Sequence, residues 1–380
     1  MSAVLDRLIT EPVDAHRLPS VSVAVGNADG VLYRKAYGFA RCFPDDAPVL
    51  DWPPAEFTAP VPVTENTLYD CASLTKMLGT TMVAFRLIQD GVITLDDTLG
   101  RFLPAPEDKK DITVRELMTH TSGMIAATHL DEIDPDPDHV LQTLFSLPLR
   151  DKPGNTVEYS CMGYMLLGYL MEKAAGGSLD LLAEELVFRP LGMTRTGYNP
   201  LARGETDIAA TEYRTELGKY LCGVVHDENA RFRRGISANA GIFSCLDDCI
   251  RFAQMLARGG EGFLCPSLLR EATRCWTVGR GEARGLGFHL NRQPDADPTQ
   301  YGGPAGELFG NNAFGHTGYT GTHLFVDPET GLYVILLSNR VHLTRSCDAH
   351  LRLRRTLSNA AVAEFCGCAP AGNARTGISM

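Results

Sequence analysis

The chain has 380 residues, 44% hydrophobic and 21% charged, the composition of an ordinary folded protein rather than a disordered, collagenous or fibrous one. At that length about three quarters of the unfolded surface can be buried, so a large core forms without disulfide or metal staples. Against 46 Asp and Glu stand 35 Lys and Arg, and the net charge of −11 argues against nucleic acid or an anionic membrane as partner, since phosphate needs a basic footprint.

The first predicted element is a helix over Ala3 to Ile9. Asp6, Arg7 and Glu11 interrupt the N-terminal stretch, which therefore lacks the apolar core of a signal peptide. The longest nearly apolar run, Cys161 to Met171, is about half of what a membrane span needs. Both features predict a cytoplasmic protein that does not enter a membrane. Val21 to Val25, bounded by Pro19 and the turn Asn27 to Gly30, precedes the alternating, aromatic-rich Val31 to Phe39; together they predict an antiparallel hairpin. The proline-rich residues 43 to 64 predict a loop.

From Leu74 the period changes. Leu74, Met77, Leu78, Met82, Phe85 and Ile88 fall on one helical face, and Asp90-Gly91 supplies a stop. Helical patterns continue to Lys173, broken by the acidic, proline-containing loop Asp131 to Asp138, and Met162 to Lys173 is apolar enough for a buried helix. Strand character returns at Phe243, Leu286 to Leu290, Thr322 to Val326 and Leu332 to Leu337, and a helix closes the chain from Ser346 to Phe365. These patterns predict one sheet built from both termini (residues 1–79 and 186–380). A mostly helical subdomain (80–185) is inserted between them, with a cleft between the two.

Eleven cysteines, an odd number scattered along the chain, predict reduced thiols rather than a disulfide framework. Cys245 and Cys249 can share a helix face, and Cys366 lies two residues from Cys368. Neither pair has a partner pair at zinc spacing, so no metal and no cofactor is expected.

The sharpest chemical feature is Ser73-Leu-Thr-Lys76. In the first turn of a helix residues i and i+3 share a face, so the lysine amine can reach the serine hydroxyl. The helix N-terminus favours negative charge developing on the serine oxygen, and a partly desolvated lysine can take its proton. The same four residues also occur as a helix cap with a solvated lysine. Three further segments weigh against that bland reading: Tyr159-Ser-Cys161 just before the buried helix, His316-Thr317-Gly318 before a strand, and Ile112 to Gly123 ending in His120-Thr-Ser-Gly.

With these motifs in this order from about Leu18 to about Asn339, the chain resembles the serine β-lactamase and penicillin-binding-protein superfamily, in its β-lactamase-related esterase and D-aminopeptidase-like branch. The resemblance implies an α/β (α+β) fold, an antiparallel sheet flanked by helices with an inserted helical subdomain. It implies a serine hydrolase that cleaves small esters or amides through an acyl-enzyme on Ser73, with Lys76 and Tyr159 moving the proton. The oxyanion hole would be the backbone N–H groups of Ser73 and Tyr319, with Cys161, Thr317 and Gly318 beside the substrate. Two rivals share that chemistry: a D-stereospecific peptidase or carboxypeptidase, and an acyltransferase that passes the acyl group to an alcohol or amine. A non-catalytic binder would have no need of Ser73, Lys76 and Tyr159 together. The partner expected is a small ester, amide or peptide.

Two departures from the family's pattern stand out. Cys161 replaces an asparagine and, as a weak donor and acceptor, cannot do an amide's work; it is either a second nucleophile or a small packed residue. His316 replaces a lysine, and a mostly neutral imidazole weakens the case for substrates held by a carboxylate. His226-Asp-Glu-Asn229 and Ser237 to Ser244 resemble a paired signature of the same branch, for which the simplest role is fixing a loop by backbone hydrogen bonds. His120 is expected to build a turn. His129, His139 and His289 lack metal spacing, and Trp52 and Trp276 can line a pocket or cover core.

Overall fold

The computed structural model describes residues 2–48, 53–294 and 303–367. Seven strands form one sheet: β1 (Ser20–Gly26), β2 (Val31–Arg41), β3 (Val61–Pro62), β4 (His289–Leu290), β5 (Phe314–Thr317), β6 (His323–Val326) and β7 (Tyr333–Leu337). Their spatial order is β3-β2-β1-β7-β6-β5-β4, and every neighbouring pair is antiparallel. Strands from the two ends of the chain meet where Val23 pairs with Leu336 and Val25 with Val334. The period of two sorts the side chains onto two faces. Val21, Val23, Val25, Val334 and Leu336 pack with Leu5, Ile9 and Val13 of helix α1 (Ala3–Asp14), whereas Ala24, Ile335 and Leu337 belong to the larger core on the other face.

On that second face lies helix α2 (Met82–Gln89), and after several shorter helices the chain forms α3 (Cys161–Ala175), buried over most of its length. The Ser160 hydroxyl caps α3 by accepting from the Gly163 N–H at 2.9 Å. Met162, Leu166, Leu167 and Leu170 are fully buried, each contributing about 1.5–3 kcal/mol. Helix α4 (Leu246–Ala257) covers the same face near β1, β6 and β7, and α5 (Ala349–Phe365) packs with α1 on the other.

Several expectations need correction. The proline-rich segment contains the short edge strand β3. The strand expected over Leu286 to Leu290 is confined to His289–Leu290, because Leu286 N–H donates instead to Ala272 O. Phe243 does lie in a strand, but in a separate three-stranded sheet of Tyr69–Asp70, Ile242–Ser244 and Gly197–Tyr198. The helix beginning at Leu74 is not uniform: a 3₁₀ turn over Ala72–Leu74 and a π-helical stretch over Lys76–Thr81 precede α2. Cys245 and Cys249 are buried free thiols, and Trp52 and Cys368 lie outside the described residues.

Candidate active site

The small sheet sets the position of Ser73. Asp70 pairs with Phe243, and Cys71 N–H donates to Ile242 O at 2.9 Å, so the chain enters the 3₁₀ turn from a fixed edge. Ala72 then adopts φ +44°, a left-handed conformation that a non-glycine residue takes only when its surroundings hold it there. The holder is the buried Asp70 carboxylate, which accepts from Ala72 N–H at 2.8 Å and from His226 N–H at 2.7 Å. Burial pushes the Asp70 carboxyl up, while these two amides oppose the shift.

Lys76 is fully buried, and its ammonium donates to Ser73 Oγ at 3.2 Å, to Asn239 O at 2.9 Å and to Cys161 Sγ at 3.5 Å. Burial alone would lower its basicity, but the adjoining Cys161 and Tyr159 outweigh burial and raise it. Tyr159 stands over this group, its ring centroid 4.9 Å from Lys76 Nζ. Burial pushes the phenol up against the opposing pull of Lys76. The Tyr159 hydroxyl is close enough to Lys76 and Ser73 for both to act on its ionisation, yet among the described residues it finds no partner at hydrogen-bond geometry.

His120 supports the tyrosine. At φ +59° it turns the chain as expected, and its Nδ1 accepts from Ser160 N–H at 3.0 Å, which makes it the neutral tautomer. Its ring lies between Tyr159 and Tyr164, with centroids at 4.5 and 4.9 Å. His316 is buried on β5, 5.9 Å ring to ring from Tyr159, and burial, then Lys76 and Arg284, push it down to about 3. It is therefore a neutral imidazole at physiological pH, and its Nε2 has no partner among the described residues.

Gly318 lets the turn after β5 approach the turn that carries Ser73. A Cβ there would come within 2.3 Å of Cys71 O, a place only glycine can occupy. Two side chains of the same turn anchor it: Thr320 Oγ1 donates to Asp70 O at 2.7 Å and Thr322 Oγ1 to Cys71 O at 2.9 Å. Among the described residues neither Ser73 N–H nor Tyr319 N–H has an acceptor, as an oxyanion hole requires. The Tyr319 side chain points away, exposed, with the Arg340 guanidinium 4.5 Å from its ring.

The segment from His226 to Asn229 does fix loops, and it also reaches the lysine. Asn229 Nδ2 donates to Thr128 O at 2.8 Å, and its Oδ1 accepts from Leu130 N–H at 3.0 Å. Asp227 Oδ1 caps a short helix and receives Asn239 Nδ2 at 3.3 Å, holding the residue whose carbonyl receives Lys76. The two halves of the signature are thus one support for the ammonium.

Ser73, Tyr159, His316, Thr317, Gly318 and Tyr319 line a cavity of about 540 Å³. Arg284, which no sequence pattern marked, lines it too, its guanidinium 5.1 Å from the Tyr159 ring and its Nε donating to Glu282 at 3.0 Å. His289 also lines it. Trp276 does not: its ring lies under Arg274 and Arg115 at 3.8 and 5.8 Å. His139 pairs with Asp134 and Asp136 at the surface.

A family model described as Beta-lactamase matches residues 5–357. A protein of Escherichia coli strain K12, provisionally named a D-alanyl-D-alanine carboxypeptidase, is 33% identical over 369 residues, 89% of this chain and 82% of its own. Among solved structures, the octameric penicillin-binding protein homologue from Pyrococcus abyssi aligns with a TM-score of 0.67 at 21% identity, over 92% of this chain and 76% of that one. EstCE1, a hydrolase with promiscuous acyltransferase activity, aligns with a TM-score of 0.71 at 21% identity, over 94% and 97%. These two likenesses concern the fold.

Proposed function

Because this chain belongs to the β-lactamase family and is a serine hydrolase of that fold, we propose that Ser73 is its nucleophile and that it cleaves small esters or amides through an acyl-enzyme. The observation that carries this reading is the contact of Lys76 Nζ with Ser73 Oγ at 3.2 Å beneath a buried, unpartnered Tyr159 hydroxyl. The active cleft in this reading lies between the sheet unit (residues 1–79 and 186–380) and the helical unit (80–185).

Ser73 Oγ attacks the substrate carbonyl while its proton passes to the Lys76–Tyr159 pair. That pair titrates as a unit, and its base form has one proton fewer shared between amine and phenol. Negative charge on the carbonyl oxygen is received by the N–H groups of Ser73 and Tyr319, each worth about 3 kcal/mol in the transition state. The Tyr159 hydroxyl returns the proton to the leaving group, and water later reverses the sequence to release the acid. Neutral His316 offers Nε2 to the substrate or to Tyr159, and Cys161 holds the far side of Lys76.

A second reading, a peptidase acting on chains with a free carboxylate, gains from a specific observation. The cation missing at position 316 is supplied from another element by Arg284, in the same cavity. The carboxypeptidase name carried by the Escherichia coli relative points the same way.

A fluorophosphonate probe tests the nucleophile. Wild type should be labelled at Ser73 and hydrolyse a short p-nitrophenyl ester; Ser73→Ala should do neither while keeping its circular dichroism spectrum. Labelling at Cys161 or at another serine would overturn the assignment.

A further inference from the structure

The Ser73 cavity continues well past the reacting groups, to the turn before α5 and the helix's first turns, where Asp348, His350, Leu351 and Arg354 line it. Four arginines line the whole cavity against two carboxylates, Glu282 and Asp348. Two of those arginines are occupied. Arg340 donates to the carbonyls of Tyr319, Arg345 and Cys347, and Arg345 pairs with Glu212 and Glu228. Arg284 pairs with Glu282, whose own side chain is more than half exposed and free to swing.

Arg354 differs from all of these. Among the described residues it has no salt bridge and no hydrogen-bond acceptor, and its Nε is buried without a partner. Beside it His350, 7% exposed, buries Nδ1 without a partner. Arg354 is half-buried, its Nε shut off from water without an acceptor, and an anion in the cavity would supply the charge-assisted hydrogen bond that this guanidinium lacks. His289, Arg284 and Arg354 line the same cavity.

We infer that Arg354 and His350 form a second anion subsite, and that the substrates are dianionic: one carboxylate meets Arg284 near the scissile bond, and a second acidic group meets Arg354. An acidic amino acid with a free α-carboxylate, released as the leaving group, has this chemistry. The inference deepens the peptidase reading and rests on it for the placement of the scissile bond.

Equilibrium binding tests the subsite without requiring turnover. Calorimetry on the full-length protein would compare glutarate, with two carboxylates, and butyrate, with one. Wild type should bind glutarate at least tenfold more tightly, and Arg354→Gln should erase that preference while changing butyrate less than threefold. Arg284→Gln should weaken both ligands. Equal affinities in wild type, or a preference that survives Arg354→Gln, would overturn the subsite. A His350→Ala variant, which removes a neutral imidazole from the same wall, guards against misfolding as the cause: it should keep the melting temperature within a few degrees and lose part of the preference. Ser73 labelling is scored separately, so failure of the nucleophile and failure of the subsite give different patterns.

Discussion

Tyr159→Phe should make the protein more stable and nearly inactive. The phenol oxygen is buried and meets no partner among the described residues, and a buried polar group left in that state costs about 1–3 kcal/mol. Replacing O–H by H removes the cost and leaves the ring's contacts in place: His120 at 4.5 Å, Lys76 at 4.9 Å and Arg284 at 5.1 Å. Part of the gain is lost with the cation–π attraction, so a net stabilisation of about 1 kcal/mol is expected, or a melting temperature higher by roughly 1–3 °C. Catalysis moves the other way. A positioned proton donor and acceptor contributes about 10²–10⁴-fold, and kcat should fall by that factor with little change in KM. Lys76→Met should lose as much, and the double variant little more, because groups on one proton path are not additive. Thermal melts and single-turnover acylation measure the two effects on the same preparations. A lower melting temperature together with an unchanged kcat would refute the reasoning, as would rate losses that multiply.

The pH profile of kcat/KM should rise about tenfold per unit from pH 6 towards 9, since Lys76 and Tyr159 are both shifted up and the base form appears only as the pair gives up a proton. A bend near pH 6 would instead show His316 titrating in the working range. Folding stability has its own pH dependence. His120, His316, His323, His342 and His350 are buried with basicities depressed by burial, so below about pH 6.5 the unfolded chain takes up protons that the native state does not. Between pH 7.5 and 5.5 each should cost about 1.4 kcal/mol and the five together about 7 kcal/mol, less what the raised Asp70 and Asp248 return as the pH falls further. Urea titrations at the two pH values check this, and equal midpoints would refute it. His316→Lys should shift the ratio of carboxylate-bearing to neutral ester substrates by about tenfold for each 1.4 kcal/mol gained, whereas a uniform loss on both would mean that the imidazole only packs.

Much of this was readable in the chain, and what was not has a physical reason. Ser73 and Lys76 declare themselves through a spacing of three that survives even though the turn is 3₁₀ and then π-helical rather than α-helical. A 3₁₀ turn has three residues per turn, so Lys76, the first residue of the π-helical stretch, comes back to the serine's side. The long strands β1, β2 and β7 carry their period of two over at least five residues. The edge strands β3 and β4 have two residues each, too few for any period, and Tyr69–Asp70 fails to register for the same reason. Arg284 is invisible because a lone arginine has no spacing. Asn239 acts through its backbone carbonyl, which every residue possesses. Asp70 sits next to the Ser73 motif, but besides the neighbouring Ala72 amide it accepts the His226 amide from a distant turn, a relation that only the folded chain creates.

The exchange of lysine for His316 then has an electrostatic logic. Lys76 is already a buried ammonium, supported by Asn239 O and the Ser73 oxygen. A second ammonium on β5 would lie among buried groups with no carboxylate to receive it, and its field would drive the proton off Lys76. The neutral imidazole avoids that conflict, and burial keeps it neutral well below physiological pH. In the proposed peptidase reading the positive charge for an anionic substrate would come instead from Arg284, whose partner Glu282 stays in contact with water and can yield its place. In that reading, separating the two cations would let Lys76 tune the serine while Arg284 holds the substrate. Adding a lysine at 316 therefore perturbs both functions, and removing Arg284 perturbs only one. Arg284→Gln should weaken carboxylate-bearing substrates while leaving the pH profile of neutral ester hydrolysis where it was. A displaced profile would show that Arg284, over the Tyr159 ring, also governs the shared proton.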